Sequence, residues 1–171
     1  MRIPKHIGII PDGNRRWAEQ AGLQKKDGYA HGLTPGLELL RLAREAGVRE
    51  ITYYGFTTDN CGRPPEQVKA FSEACVEAVA LIASEPVSLL VVGDKEAPAF
   101  PKALLPYTAA RTDLNGGGIL VNFLVNYGWE WDLAHLKDPG GSRRKICSEL
   151  CSHDVSRVDL VIRWGGMRRL S

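Results

Sequence analysis

The chain has 171 residues, 44% hydrophobic and 25% charged, the composition of a soluble globular protein at a length where one domain over residues 1–171 is expected. A formal net charge of +2 leaves no general polyanion-binding surface, so affinity for phosphate has to come from local arginine clusters such as Arg15-Arg16, Arg143-Arg144 and Arg168-Arg169. No apolar run approaches the roughly 18 residues that span a bilayer, the N-terminus lacks the apolar core of a signal peptide, and four irregularly spaced cysteines make no disulfide framework; a cytoplasmic location with reduced thiols is expected.

Residues 6–10 form a short apolar run ending at the turn Pro11-Asp12-Gly13, which predicts a strand, a loop and a helix beginning near Asn14. Leu37, Leu39, Leu40, Leu42 and Ala43, with Ala46 before Gly47, predict a helix closed by glycine, and the β-branched and aromatic stretch 50–56 predicts the next strand. The order then repeats. Pro64 and Pro65 suit a helix start, 66–84 is apolar along one side, and 88–92 is a continuous apolar strand before Gly93-Asp94. A proline-interrupted helical stretch over 104–111, the run Gly116-Gly117-Gly118 and a strand over 119–125 follow. Residues 137–145 read as a polar loop rich in glycine and arginine, and 158–162 is the last clear strand. Alternating strands and helices with buried strands predict an α/β fold, a mainly parallel central sheet flanked by helices. Cys147, Cys151 and His153 match no common zinc spacing and read as thiols on or beside a short helix.

Three segments at the carboxyl ends of predicted strands carry chemistry. In Pro11-Asp12-Gly13-Asn14-Arg15-Arg16-Trp17 a carboxylate, a glycine, an amide and two guanidinium groups open a helix, whose free N–H groups and partial positive charge attract phosphate. A carboxylate there repels phosphate unless a divalent cation lies between them, so Asp12 makes sense facing magnesium; Asp12 and Asn14 serve equally well as helix caps. The second segment, Phe56-Thr57-Thr58-Asp59-Asn60-Cys61-Gly62-Arg63-Pro64, places hydroxyls, a carboxylate, an amide and an arginine where a doubly wound sheet binds ligands, or forms an ordinary turn with a threonine cap. In the third, residues 162–171, Gly165-Gly166 would let backbone N–H groups approach an anion that Arg163, Arg168 and Arg169 orient, or the loop is simply solvated and basic. Together they point to a site for two phosphorylated ligands. The usual nucleotide loops, Gly-x-Gly-x-x-Gly and the Gly-Lys-Ser/Thr type, are absent from the sequence.

The segment His6-Ile7-Gly8-Ile9-Ile10-Pro11-Asp12-Gly13-Asn14-Arg15-Arg16-Trp17-Ala18 resembles the opening signature of the cis-prenyltransferases, whose best-known members are undecaprenyl diphosphate synthases, with Pro11 where methionine is usual. Tyr53-Tyr54-Gly55-Phe56-Thr57-Thr58-Asp59-Asn60 with Arg63-Pro64 is similar to the second signature, and residues 122–127 and 159–171 resemble two more in the family's order. The resemblance implies a magnesium-dependent prenyl transferase that condenses isopentenyl diphosphate onto an allylic diphosphate with cis geometry. It also implies a homodimer whose membrane contact is at most peripheral, through its product.

By the same resemblance Asp12 is the metal ligand and, with Asn14 and Asn60, catalytic. The backbone from Gly13 onward, Arg15, Arg16, Trp17, Lys25 and Arg63 would hold the allylic substrate, with Lys25 standing where arginine is common; Thr57 would lie beside the reacting groups. Arg163, Arg169 and Ser171 would bind the diphosphate of isopentenyl diphosphate. An apolar tunnel would hold the growing tail, and Phe71, Val76, Val79, Leu81, Ile82 and Leu89 are its candidate lining or ordinary core.

Several positions depart from the family pattern. Tyr29 stands for histidine, Cys61 for tryptophan, Met167 for a carboxylate, and Trp164 where a small residue is usual. The family's second acidic metal ligand and much of its dimer interface belong to a segment that would follow Ser171, and the stretch 131–158 is shorter than usual. The first signature with Asp27-Gly28-Tyr29 is also similar to relatives making irregular, lavandulyl-type diphosphates, so a head-to-middle coupling of allylic units stands as an alternative. A non-catalytic partner subunit is a third possibility, against which the retention of Asp12, Asn14 and Arg16 argues. A nucleic-acid-binding module is not expected, because the arginine pairs lie in separate loops.

Overall fold

Residues 2–166 are described by the computed structural model, in which six strands form one sheet with helical elements on both faces. In chain order these are β1 (His6–Ile10), α1 (Asn14–Gln20), α2 (Gly28–His31), α3 (Leu33–Glu45), β2 (Glu50–Thr57), α4 (Pro65–Ala83), β3 (Val87–Val92), β4 (Thr112–Leu114), β5 (Ile119–Tyr127), α5 (Trp129–Ala134), α6 (Arg143–Glu149) and β6 (Leu160–Arg163). Short 3-10 helices occupy Thr58–Gly62 and Lys102–Tyr107. The strand order is β4-β3-β5-β2-β1-β6, parallel throughout except for β4, which pairs antiparallel with β3. The predicted α/β architecture is therefore the one observed.

The alternation of strand side chains divides the core. Ile7 and Ile9, Ile51 and Tyr53, Val87, Leu89 and Val91, and Val121, Phe123 and Val125 pack with Leu40 and Ala43 of α3 and with Cys75, Val79 and Ile82 of α4. Leu90, Val92 and Leu124 belong to a smaller cluster with Tyr54, Tyr127, Trp131, Cys151 and Val155. Toward the amino ends of the strands that second face is polar. Buried Glu50 accepts bonds from Asn122 Nδ2 at 2.7 Å and from the N–H and hydroxyl of Ser156, while His6 Nε2 lies 2.8 Å from the Thr52 hydroxyl. Arg111 donates to Asn122 Oδ1 at 2.6 Å and to the Asp154 carbonyl at 3.2 Å, tying the connection before β6 onto the sheet.

α2, β4 and α5 went unpredicted. α2 is four residues long, β4 three, and α5 follows β5 directly; the short helix expected beside the cysteines is α6, which begins inside the stretch read as a loop, where Ser142 accepts the Lys145 N–H. Cys147 lies on α6 and Cys151 just beyond it, as expected. The last strand starts at Leu160 rather than at residue 158. No helix among the described residues is long and apolar enough to cross a membrane.

Candidate functional site

The carboxyl ends of β1, β2 and β6 lie side by side because those strands are consecutive in the sheet. The pairing of β2 with β5 is irregular between Tyr54 and Thr57, and such a bulge re-aims side chains at the end of a strand. It turns Phe56 into the core, with its ring edge-on to Phe71 at 5.1 Å, and leaves Thr57 facing the loop space. The β1 and β6 loops interlock through two glycines. Gly13 has φ 96° and a Cβ on it would come within 2.8 Å of the Gly165 Cα; one on Gly165 (φ 77°) would meet Arg16 Nη2 at 2.7 Å. Only glycine lets these backbones come so close.

Asp12 sits at that crossing. Its Oδ1 accepts the Gly13 N–H at 2.6 Å, its Oδ2 accepts Arg163 Nη2 at 2.7 Å, and Arg16 Nη2 lies 3.8 Å away and donates to the Gly165 carbonyl at 3.0 Å. Burial opposes ionisation, but the Arg163 hydrogen bond, the Gly13 N–H and the charges of Arg163 and Arg16 outweigh it and hold the carboxyl below its ordinary value. The capping reading finds no support, since no side chain bonds the first turn of α1. At seven residues α1 supplies little dipole, so the arginines supply most of the positive field.

Two cavities meet here. A polar one of about 610 Å³ is lined by Asp12, Gly13, Asn14, Arg15, Arg16, Thr57, Asn60, Arg63 and Arg163, together with Tyr29, Tyr54, Asp59 and Trp129. An apolar one, about 70 Å³ by the same measure, runs between α3, α4 and the sheet, past Leu33, Leu37, Ala78, Leu81 and Phe123. The two share Pro11, Asn14, Tyr29, Gly55 and Phe71. Arg63 Nη1 donates to the Tyr29 hydroxyl at 3.2 Å, and the guanidinium Cζ lies 5.4 Å from the centroid of the Phe71 ring, on which Tyr29 stacks at 4.6 Å. The phenol standing in place of histidine therefore orients an arginine. Asn60 is buried and donates to the Thr57 hydroxyl; Arg15 donates to Gln67 at 3.2 Å. Cys75, on the apolar side, has its thiol pushed up to about 12 by burial and stays protonated.

Not every expected residue joins the lining. Trp17 packs on His31, ring centroids 4.7 Å apart, and Lys25 pairs with Glu19 at 3.0 Å. Arg169 and Ser171 lie outside the described residues, as does Met167. Of the candidate tunnel residues, Phe71, Leu81 and Ile82 line the apolar cavity, while Val76, Val79 and Leu89 belong to the core packing; Trp164 lines the cavity too. Sequence reasoning missed Trp129, and quoted Tyr54 and Asp59 without giving them a role. The position of Trp129 just past a strand's carboxyl end is the signal that would have found it.

A metal fits this donor set in one way. Among the described residues no group of three His, Cys, Asp or Glu side chains is placed to hold an ion, so there is no all-protein cage. Of the two carboxylates in the lining, Asp12 is the one paired with arginines, and one carboxylate so placed suits a hard cation that takes its remaining oxygens from phosphate and water. Asp12 is the residue placed to hold it.

Comparison with known proteins identifies the family and the fold. The family model described as "Putative undecaprenyl diphosphate synthase" matches residues 10–171. The ditrans,polycis-undecaprenyl-diphosphate synthase ((2E,6E)-farnesyl-diphosphate specific) of Pectobacterium atrosepticum is 30% identical over 187 residues, covering 98% of this chain and 73% of its own length. The enzyme of the same description from Escherichia coli is 29% identical over 186 residues, covering 98% and 73%. Among solved structures, lavandulyl diphosphate synthase from Lavandula x intermedia, in complex with dimethylallyl diphosphate, superposes with a TM-score of 0.81 over 99% of this chain and 80% of that one. At 20% identity the likeness is one of fold.

Proposed function

The chain belongs to the undecaprenyl diphosphate synthase family of prenyltransferases, and from that premise we propose that it joins isopentenyl diphosphate to an allylic diphosphate with cis geometry. One observation carries the reading: an arginine-lined polar cavity adjoins an apolar one along a shared wall, an arrangement suited to a ligand with a diphosphate head and a hydrocarbon tail. Arg16 and Arg63 meet the allylic diphosphate, and Asn14 and Asn60 hold it from either side. Arg163 leaves Asp12 for the diphosphate of the second substrate, with Arg169 and Ser171 as further groups for it. Arg15, the Gly13 backbone and Thr57 complete the head-group site, and Lys25 and Trp17 reach it only if the α1–α2 connection moves.

The allylic carbon–oxygen bond then breaks with its electron pair leaving on diphosphate. The double bond of isopentenyl diphosphate forms the new carbon–carbon bond, and a proton is lost from the adduct. Guanidinium charge aimed at the departing oxygens stabilises the charge that develops there. Magnesium held by Asp12 would add further positive charge at those oxygens. A cytoplasmic homodimer is part of the same proposal.

Asp12→Ala tests it. Turnover of isopentenyl diphosphate with geranyl diphosphate is expected to fall at least about 100-fold while circular dichroism is unchanged. Undiminished turnover would sink the role given to Asp12. Product from dimethylallyl diphosphate alone would mean irregular coupling instead, and wild-type inactivity restored by a catalytic homologue would mean a partner subunit.

A further inference from the structure

The polar cavity has a direction. Across the sheet, from one side to the other, stand Arg163 on β6, Asp12 to Arg16 after β1, Tyr54 and Asp59 on and after β2, and Trp129 after β5. Apart from the wall shared with the apolar cavity, Tyr54 and Trp129 are the aromatic groups in its lining. Arg16 and Arg163 gather beside Asp12 at one end of that line, and Tyr54, Asp59 and Trp129 stand toward the other.

Trp129 is 62% exposed, the most open of the large hydrophobic side chains among the described residues, yet its backbone is well fixed. A Cβ on Gly128 would lie 2.7 Å from the Thr58 hydroxyl, so the start of α5 is held against the β2 loop. Two residues on, Trp131 packs edge-on to Tyr127 at 6.0 Å. Buried Asp132 accepts the Tyr127 hydroxyl at 2.8 Å and the Cys151 N–H at 2.6 Å. An indole held open to solvent on an anchored backbone is a preorganised apolar surface.

We propose that Trp129, with Tyr54 of the same cavity wall, is the specificity-determining surface for the isoprenyl group of the second substrate, whose diphosphate lies at the Arg163 end. This rests on the reading of the cavity as a prenyl diphosphate site. The first substrate's tail enters the apolar cavity, and the second lies across β2 with its five carbons against the indole.

Equilibrium binding to the full chain, saturated with unreactive geranyl S-thiolodiphosphate, tests it by comparing isopentenyl diphosphate with inorganic diphosphate. The wild type is expected to prefer the isoprenyl ligand. Trp129→Ala should cut that preference about tenfold without changing the affinity for inorganic diphosphate, and Trp129→Phe should recover most of it. An unaltered preference in Trp129→Ala, an equal loss for both ligands, or a wild type without preference overturns the inference alone. A wild type that fails to bind geranyl S-thiolodiphosphate overturns the underlying reading as well.

Discussion

Asn122 illustrates how a single buried side chain carries structure away from the site. It is fully buried, donates to Glu50 at 2.7 Å and Thr52 at 2.9 Å, and accepts from Arg111 at 2.6 Å. Truncating it leaves a carboxylate and a guanidinium each short of a partner where water has little access, which costs more than the bonds themselves contribute. Asn122→Ala is expected to lose about 2–4 kcal/mol in urea denaturation, with the carboxyl end of the sheet and its ligand binding retained. At this scale the sequence was partly legible. Asp12, Asn14, Arg16, Thr57, Asn60, Arg63 and Arg163 all line one cavity, because each stands in or beside a turn at a strand's carboxyl end. The Asp12–Arg163 pair spans 151 positions and could be known only once β1 and β6 were neighbours.

At the scale of elements, α3 is strapped to the sheet by the Tyr53 hydroxyl, which donates to the Gly36 carbonyl at 2.8 Å, and by Arg41 and Arg44, which clamp Glu85 at 2.6 Å and 3.0 Å. Tyr53→Phe removes the first strap without changing the ring that fills the space. Stability is expected to fall by about 1 kcal/mol, read as a lower urea midpoint at constant slope. Long periodic helices and continuous apolar strands were readable because burial on one side or both imposes their pattern. The elements that escaped notice lack such a pattern. α2 is four residues long, β4 exists through its pairing with β3, and α5 is six residues long. The β2 bulge is equally silent in sequence, although it decides that Phe56 turns inward and Thr57 toward the cavity.

For the molecule as a whole, acidity is the simplest probe. Asp12, Glu50 and Glu85 all have carboxyls held below their ordinary values of 3.8 and 4.5. For Asp12 and Glu50 burial opposes the shift and is outweighed, at Asp12 chiefly by Arg163 and at Glu50 by Ser156 and Asn122; for Glu85 the Arg41 bond leads. A group whose value is depressed on folding contributes stability above its unfolded value and loses it as pH falls through the folded one. The denaturation midpoint should therefore stay level down to about pH 5 and decline below the ordinary value of 4.5, less steeply in Glu50→Gln. A midpoint that rises on acidification would contradict this assignment. The five residues common to both cavities bear on how such a protein diversifies. A substitution at Pro11, Asn14, Tyr29, Gly55 or Phe71 alters the polar and the apolar cavity in one stroke, so under the proposed function gains in one trait would drag the other with them. Directed evolution toward longer or shorter hydrocarbon ligands should find its independent steps at Leu33, Leu37, Ala78 and Leu81, which line the apolar cavity only.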